Sequence, residues 1–103
     1  MAVRIISEDD RTVAMLSGEI DHHSAKGMRQ EIDFALRESQ PSELVLDFSE
    51  VGFMDSSGIG LVMGRYKLMQ EISGKVIVKN PSDHIRKVMR LSGIDRLAAI
   101  RNG

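Results

Sequence analysis

The spacing of apolar and polar positions changes several times along the chain, and each change marks an element. Val3 to Ile6 and Thr12 to Ser17 are short β-branched or apolar runs, and the polar cluster Glu8-Asp9-Asp10-Arg11 between them suits a hairpin turn. Two antiparallel strands are expected. From Asp21 the period lengthens. Ala25, Met28, Ile32, Ala35 and Leu36 recur at helical spacing, which predicts an amphipathic helix capped near Asp21. Phe34 falls off that stripe and reads as a single surface aromatic. Leu44 to Phe48 forms a short strand after Pro41 and leads through Ser49-Glu50-Val51-Gly52 to Asp55-Ser56-Ser57. A second helix extends to about Ser73, with Gly74 as its C-terminal cap. Val76-Ile77-Val78 is a strand of the buried type. Asn80-Pro81-Ser82-Asp83 combines an N-cap candidate, a proline at the first helical turn and an early carboxylate; it opens a helix carrying Ile85, Val88 and Met89, which Gly93 ends. The remainder allows one helical turn at Asp95-Arg96-Leu97 and a last short strand near Ala98 to Arg101.

The order β-β-α-β-α-β-α-β predicts an α/β fold, a mixed β-sheet with helices packed mainly on one face, because so few helices can hardly cover two. With 103 residues, 42% of them apolar, the chain fills one modest core, and residues 1–103 read as one domain. A multidomain enzyme is not expected. Fourteen basic against fifteen acidic side chains leave a formal charge of -1, so no global field draws the protein to nucleic acid or to an anionic membrane. Partners must therefore be recognised locally. The absence of cysteine removes disulfides, thiol catalysis and thiolate metal sites and fits a reducing compartment. No stretch approaches the ~20 apolar residues of a membrane span, and Met1-Ala2-Val3-Arg4 lacks the apolar core of a signal peptide. A cytoplasmic location without membrane attachment is the expectation.

Candidate chemistry gathers at two helix starts. Right-handed crossovers place Asp21-His22-His23-Ser24 and Asp55-Ser56-Ser57-Gly58 after the carboxyl ends of parallel strands, the edge where open α/β sheets bind ligands. There the free N–H groups and the positive dipole end of a helix favour an anion, and a phosphate on Ser56 would fit. The plainer reading makes Ser56 or Ser57 an N-cap contributing roughly 1 kcal/mol. Winding the second helix puts Gly60, Gly64, Lys67 and Glu71 on one stripe, away from Ile59, Val62, Met63, Tyr66 and Met69, which are expected to pack on the sheet; Leu61, Leu68 and Ile72 widen that arc. Glycine costs about 1 kcal/mol relative to alanine in an exposed helix. Two glycines beside charged residues therefore suggest close approach by a partner, unless a loop covers them or the loss is simply tolerated. No Gly-x-Ser-x-Gly elbow, Walker-type loop or HExxH pair occurs, which argues against an enzyme. His22 and His23 are adjacent, His84 stands alone, and neither metal site nor cofactor is expected.

Gly18-Glu19-Ile20-Asp21-His22-His23, Phe53-Met54-Asp55-Ser56-Ser57-Gly58-Ile59-Gly60 and Gly64-Arg65-Tyr66-Lys67 together resemble the bacterial anti-sigma factor antagonist family within STAS domains, nearest its sporulation type. The likeness covers nearly the whole chain. It implies a STAS-like fold and partner switching. The unphosphorylated protein would bind an anti-sigma factor that is also a serine kinase and so free the sigma factor. Phosphorylation would end that binding, and a PP2C-type phosphatase would restore it. The family's phosphoacceptor carries onto Ser56, with Asp21, Asp55 and Ser57 as its neighbours and Gly58, Gly60, Gly64 and Lys67 on the partner-binding surface. Sporulation-type relatives continue into a further helix where this sequence stops at Asn102-Gly103. Two other readings stand beside this one: a STAS module that binds a nucleotide or another small ligand, and a STAS subunit of a membrane transport complex, which free termini make less fitting.

Overall fold

The computed structural model describes residues 2–103. Its elements are β1 (Val3–Glu8), β2 (Arg11–Ile20), α1 (His22–Ser39), β3 (Glu43–Met54), α2 (Ser56–Glu71), β4 (Lys75–Lys79), α3 (Asp83–Leu91), a 3-10 turn (Ile94–Arg96) and β5 (Ala99–Arg101). The strands form one sheet in the order β1-β2-β3-β4-β5. β1 runs antiparallel to β2, and the other three pairs are parallel. Asp9, in the left-handed region at φ 48°, makes the hairpin turn. Asp10 then ties that turn to the start of β3, accepting the Ser42 N–H on its carboxylate at 3.1 Å.

Alternate strand residues share one face of a sheet. Ala14 and Leu16 of β2, Leu44 and Leu46 of β3, and Val76 and Val78 of β4 join one buried cluster. Met28 and Ile32 of α1, Val62 and Met69 of α2, and Ile85 and Met89 of α3 belong to the same cluster. All three helices therefore cover one face, as expected from their number. Among the described residues, no helix is long and apolar enough to cross a membrane.

Four expectations need correction. β3 does not stop at Phe48 but continues to Met54, and its ladder with β2 passes through two register shifts, between Met15 and Ser17 and between Gly18 and Glu19. These irregularities break the alternation that marks a strand, so Ser49 to Gly52 resembles a turn in the sequence. Gly18 sits at the second shift with φ 85°, a conformation that glycine takes without steric cost. At the end of α2 the left-handed residue is Ser73, φ 59°, and not Gly74. Gly74 is needed for close approach instead, since a Cβ there would lie 2.5 Å from Met69 Cε and 3.0 Å from the Ser42 carbonyl oxygen. The cap of α3 is Ser82, whose hydroxyl accepts the Ile85 N–H at 3.2 Å. Pro81 therefore precedes the cap and does not occupy the first helical turn. Finally, α2 buries Leu61, Val62, Arg65 and Met69, while Met63 is exposed and Ile59, Tyr66, Leu68 and Ile72 are half-buried against the core. Gly93, at φ 87°, follows the Ser92 cap of α3, and β5 pairs with β4 where the last strand was expected.

Candidate functional site

Ile20 and Met54 are the last partners of the parallel β2–β3 ladder, and the Asp55 N–H donates to the Ile20 carbonyl at 3.1 Å. Asp21 and Asp55 therefore leave the sheet side by side, and each caps a helix. Asp21 accepts the N–H groups of His23 and Ser24 on Oδ1, both at 2.9 Å, while its own N–H donates to the Ser24 hydroxyl at 3.0 Å. This reciprocal pair is a capping box, with serine in the place often held by glutamate. The Ser24 N–H, ahead of an opposing loss of hydration, holds the Asp21 carboxyl below its ordinary range. Asp21 is thus a carboxylate at neutral pH.

Asp55 caps α2 by accepting the Ser57 N–H at 2.8 Å, and its carbonyl accepts the Gly58 N–H at 2.9 Å. Neither Ser56 nor Ser57 is the cap, which corrects the plainer reading of the tetrapeptide. An aspartate caps a helix as well as a serine does, and the helix starts one residue earlier than a serine cap would allow. Ser56 is left as the first helical residue, exposed, and its hydroxyl makes no hydrogen bond to another described residue.

Gly58 does not belong to the outer surface on which it was expected. It is buried, and a Cβ would lie 2.1 Å from Met54 Cγ and 2.4 Å from Met54 Sδ. Its smallness serves the packing of α2 on the end of β3. Gly60 and Gly64 differ, because a Cβ at either would meet nothing within 4 Å. No loop among the described residues covers them, and with exposed Lys67 they form an open strip that begins one turn after Ser56. Tyr66 packs against the core, and its hydroxyl accepts from Gln70 Nε2 at 2.9 Å.

Charge at the α1–α2 seam was not foreseen. Arg65 of α2 is 6% exposed, and its Nε lies 2.8 Å from Asp33 Oδ1 of α1, a contact of opposite charges without an aligned hydrogen bond. Burial lowers the Arg65 pKa, with Asp33 working in the opposite direction. Above this pair a cleft of about 500 Å3 opens between the helices, lined by His22, His23, Lys26, Arg29, Gly60 and Arg65 among others. His22, Lys26, Arg29 and Asp33 recur at helical spacing on α1, a signal the sequence carried but an apolar search passes over. The two imidazoles meet edge to face, centroids 5.5 Å apart, and both are exposed. His84 lies apart on α3.

Comparison with known proteins agrees with this architecture. The STAS domain family matches residues 2–102. The anti-sigma F factor antagonist of Lysinibacillus sphaericus is 35% identical, over 91% of this chain and 92% of that protein. The unphosphorylated anti-sigma factor antagonist SpoIIAA superposes with a TM-score of 0.84 at 33% identity, over 96% of this chain and 87% of that one. The phosphorylated form of the Bacillus cell fate determinant SpoIIAA gives 0.76 at 33% identity, over 96% and 90%. Fold, length and sequence agree throughout: the chain belongs to the STAS domain family, among the anti-sigma factor antagonists.

Proposed function

We propose that this protein is a partner switch controlled at Ser56. In the unphosphorylated state it binds an anti-sigma factor that is also a serine kinase, and the sigma factor is released. Phosphorylation of Ser56 ends the binding, and a PP2C-type phosphatase reverses it. The observation that carries this reading is the position of Ser56: an exposed hydroxyl at the start of α2, not consumed by capping, next to the open Gly60, Gly64 and Lys67 strip. A phosphate there adds about -1.5 to -2 charges beside the carboxylates of Asp55 and Asp21. Partner groups that settle against this turn then face a concentrated negative charge, whereas the fold, capped by Asp55, has no need of the serine hydroxyl.

Incubation with candidate anti-sigma kinases and ATP should add the mass of one phosphate, and Ser56→Ala should stay unmodified. Ser56→Asp should fold normally and lose affinity for the cognate kinase. A loss of ~3 kcal/mol is more than a hundredfold in Kd, well within reach of calorimetry. Unchanged affinity in Ser56→Asp, or a phosphate that persists in Ser56→Ala, refutes the proposal.

The basic lining of the α1–α2 cleft favours a second reading, a module for a nucleotide or another phosphate-bearing ligand. Calorimetric titration with ATP and GTP separates the two. Tight binding that survives in Ser56→Asp would transfer the assignment to the ligand module.

A further inference from the structure

The two edges of the sheet are built differently. β5 offers three residues, too short an edge to pair extensively with another chain. β1 offers six, paired without irregularity to β2 on its inner side and to no strand on its outer side. The hydrogen bond from the Ser17 N–H to the Ala2 carbonyl sets the phase of that ladder. Facing pairs alternate in an antiparallel ladder, so even-numbered residues of β1 turn their backbone groups to β2 and odd-numbered ones turn theirs outward. Val3 is buried, which leaves the N–H and C=O of Ile5 and Ser7 as the open groups. On the helix side, a groove of about 920 Å3 runs between β1 and α1, with Val3, Ile5 and Ala35 in its lining and Phe34, 64% exposed, on its wall. On the other face Arg4, Ile6 and Glu8 stand in a row. Ile6 is 39% exposed, and neither Arg4 nor Glu8 has a salt-bridge partner among the described residues.

We propose that β1 is a self-association edge, to which a second copy of this chain adds antiparallel with Ile6 opposite Ile6. In that register Ile5 of each copy faces Ser7 of the other, and the outward N–H and C=O groups close four hydrogen bonds. Arg4 faces Glu8 twice, and the two Ile6 side chains meet on the dyad. A slip of two residues in one direction sets Arg4 against Ile6 and draws on the buried Val3. A slip in the other sets Ile6 against Glu8 and draws on the turn residue Asp9. The charges select the register. The contact is isologous and closes as a dimer, joining two sheets into one with both helix layers on the same side, so that the two grooves meet and Phe34 loses exposure to water. Glu31 and Glu38 line the groove and repel their counterparts. Both are exposed, and salt screens that repulsion; it keeps the association weak. Ser56, Gly60 and Gly64 lie outside this groove, so the dimer presents two free switch turns.

Sedimentation equilibrium of the whole chain over a concentration series tests the proposal. The expected result is a reversible rise from the 11.5 kDa monomer to twice that mass. Arg4→Glu alone and Glu8→Arg alone should each weaken the dimer at least tenfold. An equimolar mixture of these two variants should dimerise, because every facing pair is then Glu against Arg, and the double variant Arg4→Glu/Glu8→Arg should recover the wild-type constant. A monomer up to about 1 mM, or a dimer indifferent to either single reversal, or single variants that fail to complement each other, overturns it.

Discussion

Gly58, Gly60 and Gly64 stand within two turns of α2, yet an added methyl group meets different surroundings at each. At Gly58 it would strike Met54, itself 4% exposed. The helical gain of about 1 kcal/mol for alanine over glycine is then set against overpacking, typically 1–3 kcal/mol. Gly58→Ala should therefore lower stability by about 1 kcal/mol. At Gly60 and Gly64 the methyl group enters open space, so each alanine variant should raise stability by up to about 1 kcal/mol. Urea midpoints at constant m-value measure all three. If the strip is the docking surface, Gly60→Ala and Gly64→Ala should also bind the anti-sigma kinase more weakly while unfolding less readily. A gain in stability with unchanged affinity removes the strip from the interface.

At the scale of elements, the Asp33–Arg65 contact joins α1 to α2. Asp33→Ala leaves a buried guanidinium without its counter-charge. Loss of one partner from a buried pair costs about 3 kcal/mol at the low end, and the 15% exposure of Asp33 keeps the expectation there. Replacing both partners by apolar residues, Asp33→Leu with Arg65→Met, should cost less than the single change, because no charge is stranded. A double-mutant cycle by denaturant unfolding, with Asp33→Leu, Arg65→Met and the double variant, decides this; a loss in the double variant equal to the sum of the two single losses would mean that the pair contributes no coupling. The same contact explains what the sequence revealed and what it hid. α1 was legible because its signals are local, with an aspartate cap and an apolar stripe through Met28, Ile32 and Leu36. α2 was misphased because apolar residues occur nearly all round it, and burial is decided by Arg65 meeting a carboxylate on another helix. β3 was shortened for a related reason, since a bulge is a property of two strands and one strand's alternation cannot display it. At the site, the adjacency of Asp21 and Asp55 followed from strand order, whereas the choice of Ser56 over Ser57 rests on the family likeness. The basic cleft did not, because its lining comes from two helices whose separation the sequence does not encode locally.

At the scale of the whole molecule, two carboxylates hold the ends of elements in place, one across the sequence and one locally. Asp10 fastens the β1–β2 turn to Ser42 ahead of β3, and Asp21 caps the longest helix. Both have their pKa lowered from the ordinary 3.8. For Asp10 the hydrogen bonds with Ser42, side chain before backbone, are the cause. For Asp21 the Ser24 N–H leads, against some loss of hydration. A carboxyl that binds its proton less readily when folded leaves the unfolded chain holding more protons over that interval, so folding stability must rise with pH there. The contribution is complete above the ordinary carboxylate range and disappears as pH falls through 3.8 to the lower folded values. Urea midpoints should accordingly be flat near neutrality and decline once pH drops below about 4. Asparagine keeps an acceptor oxygen but cannot take up the proton. The Asp10→Asn/Asp21→Asn variant should therefore be less stable than wild type at neutral pH and show a shallower acid decline, the two curves converging at the acid end. A double variant that declines as steeply as wild type would place the acid sensitivity in other groups and leave these two joints as neutral hydrogen bonds.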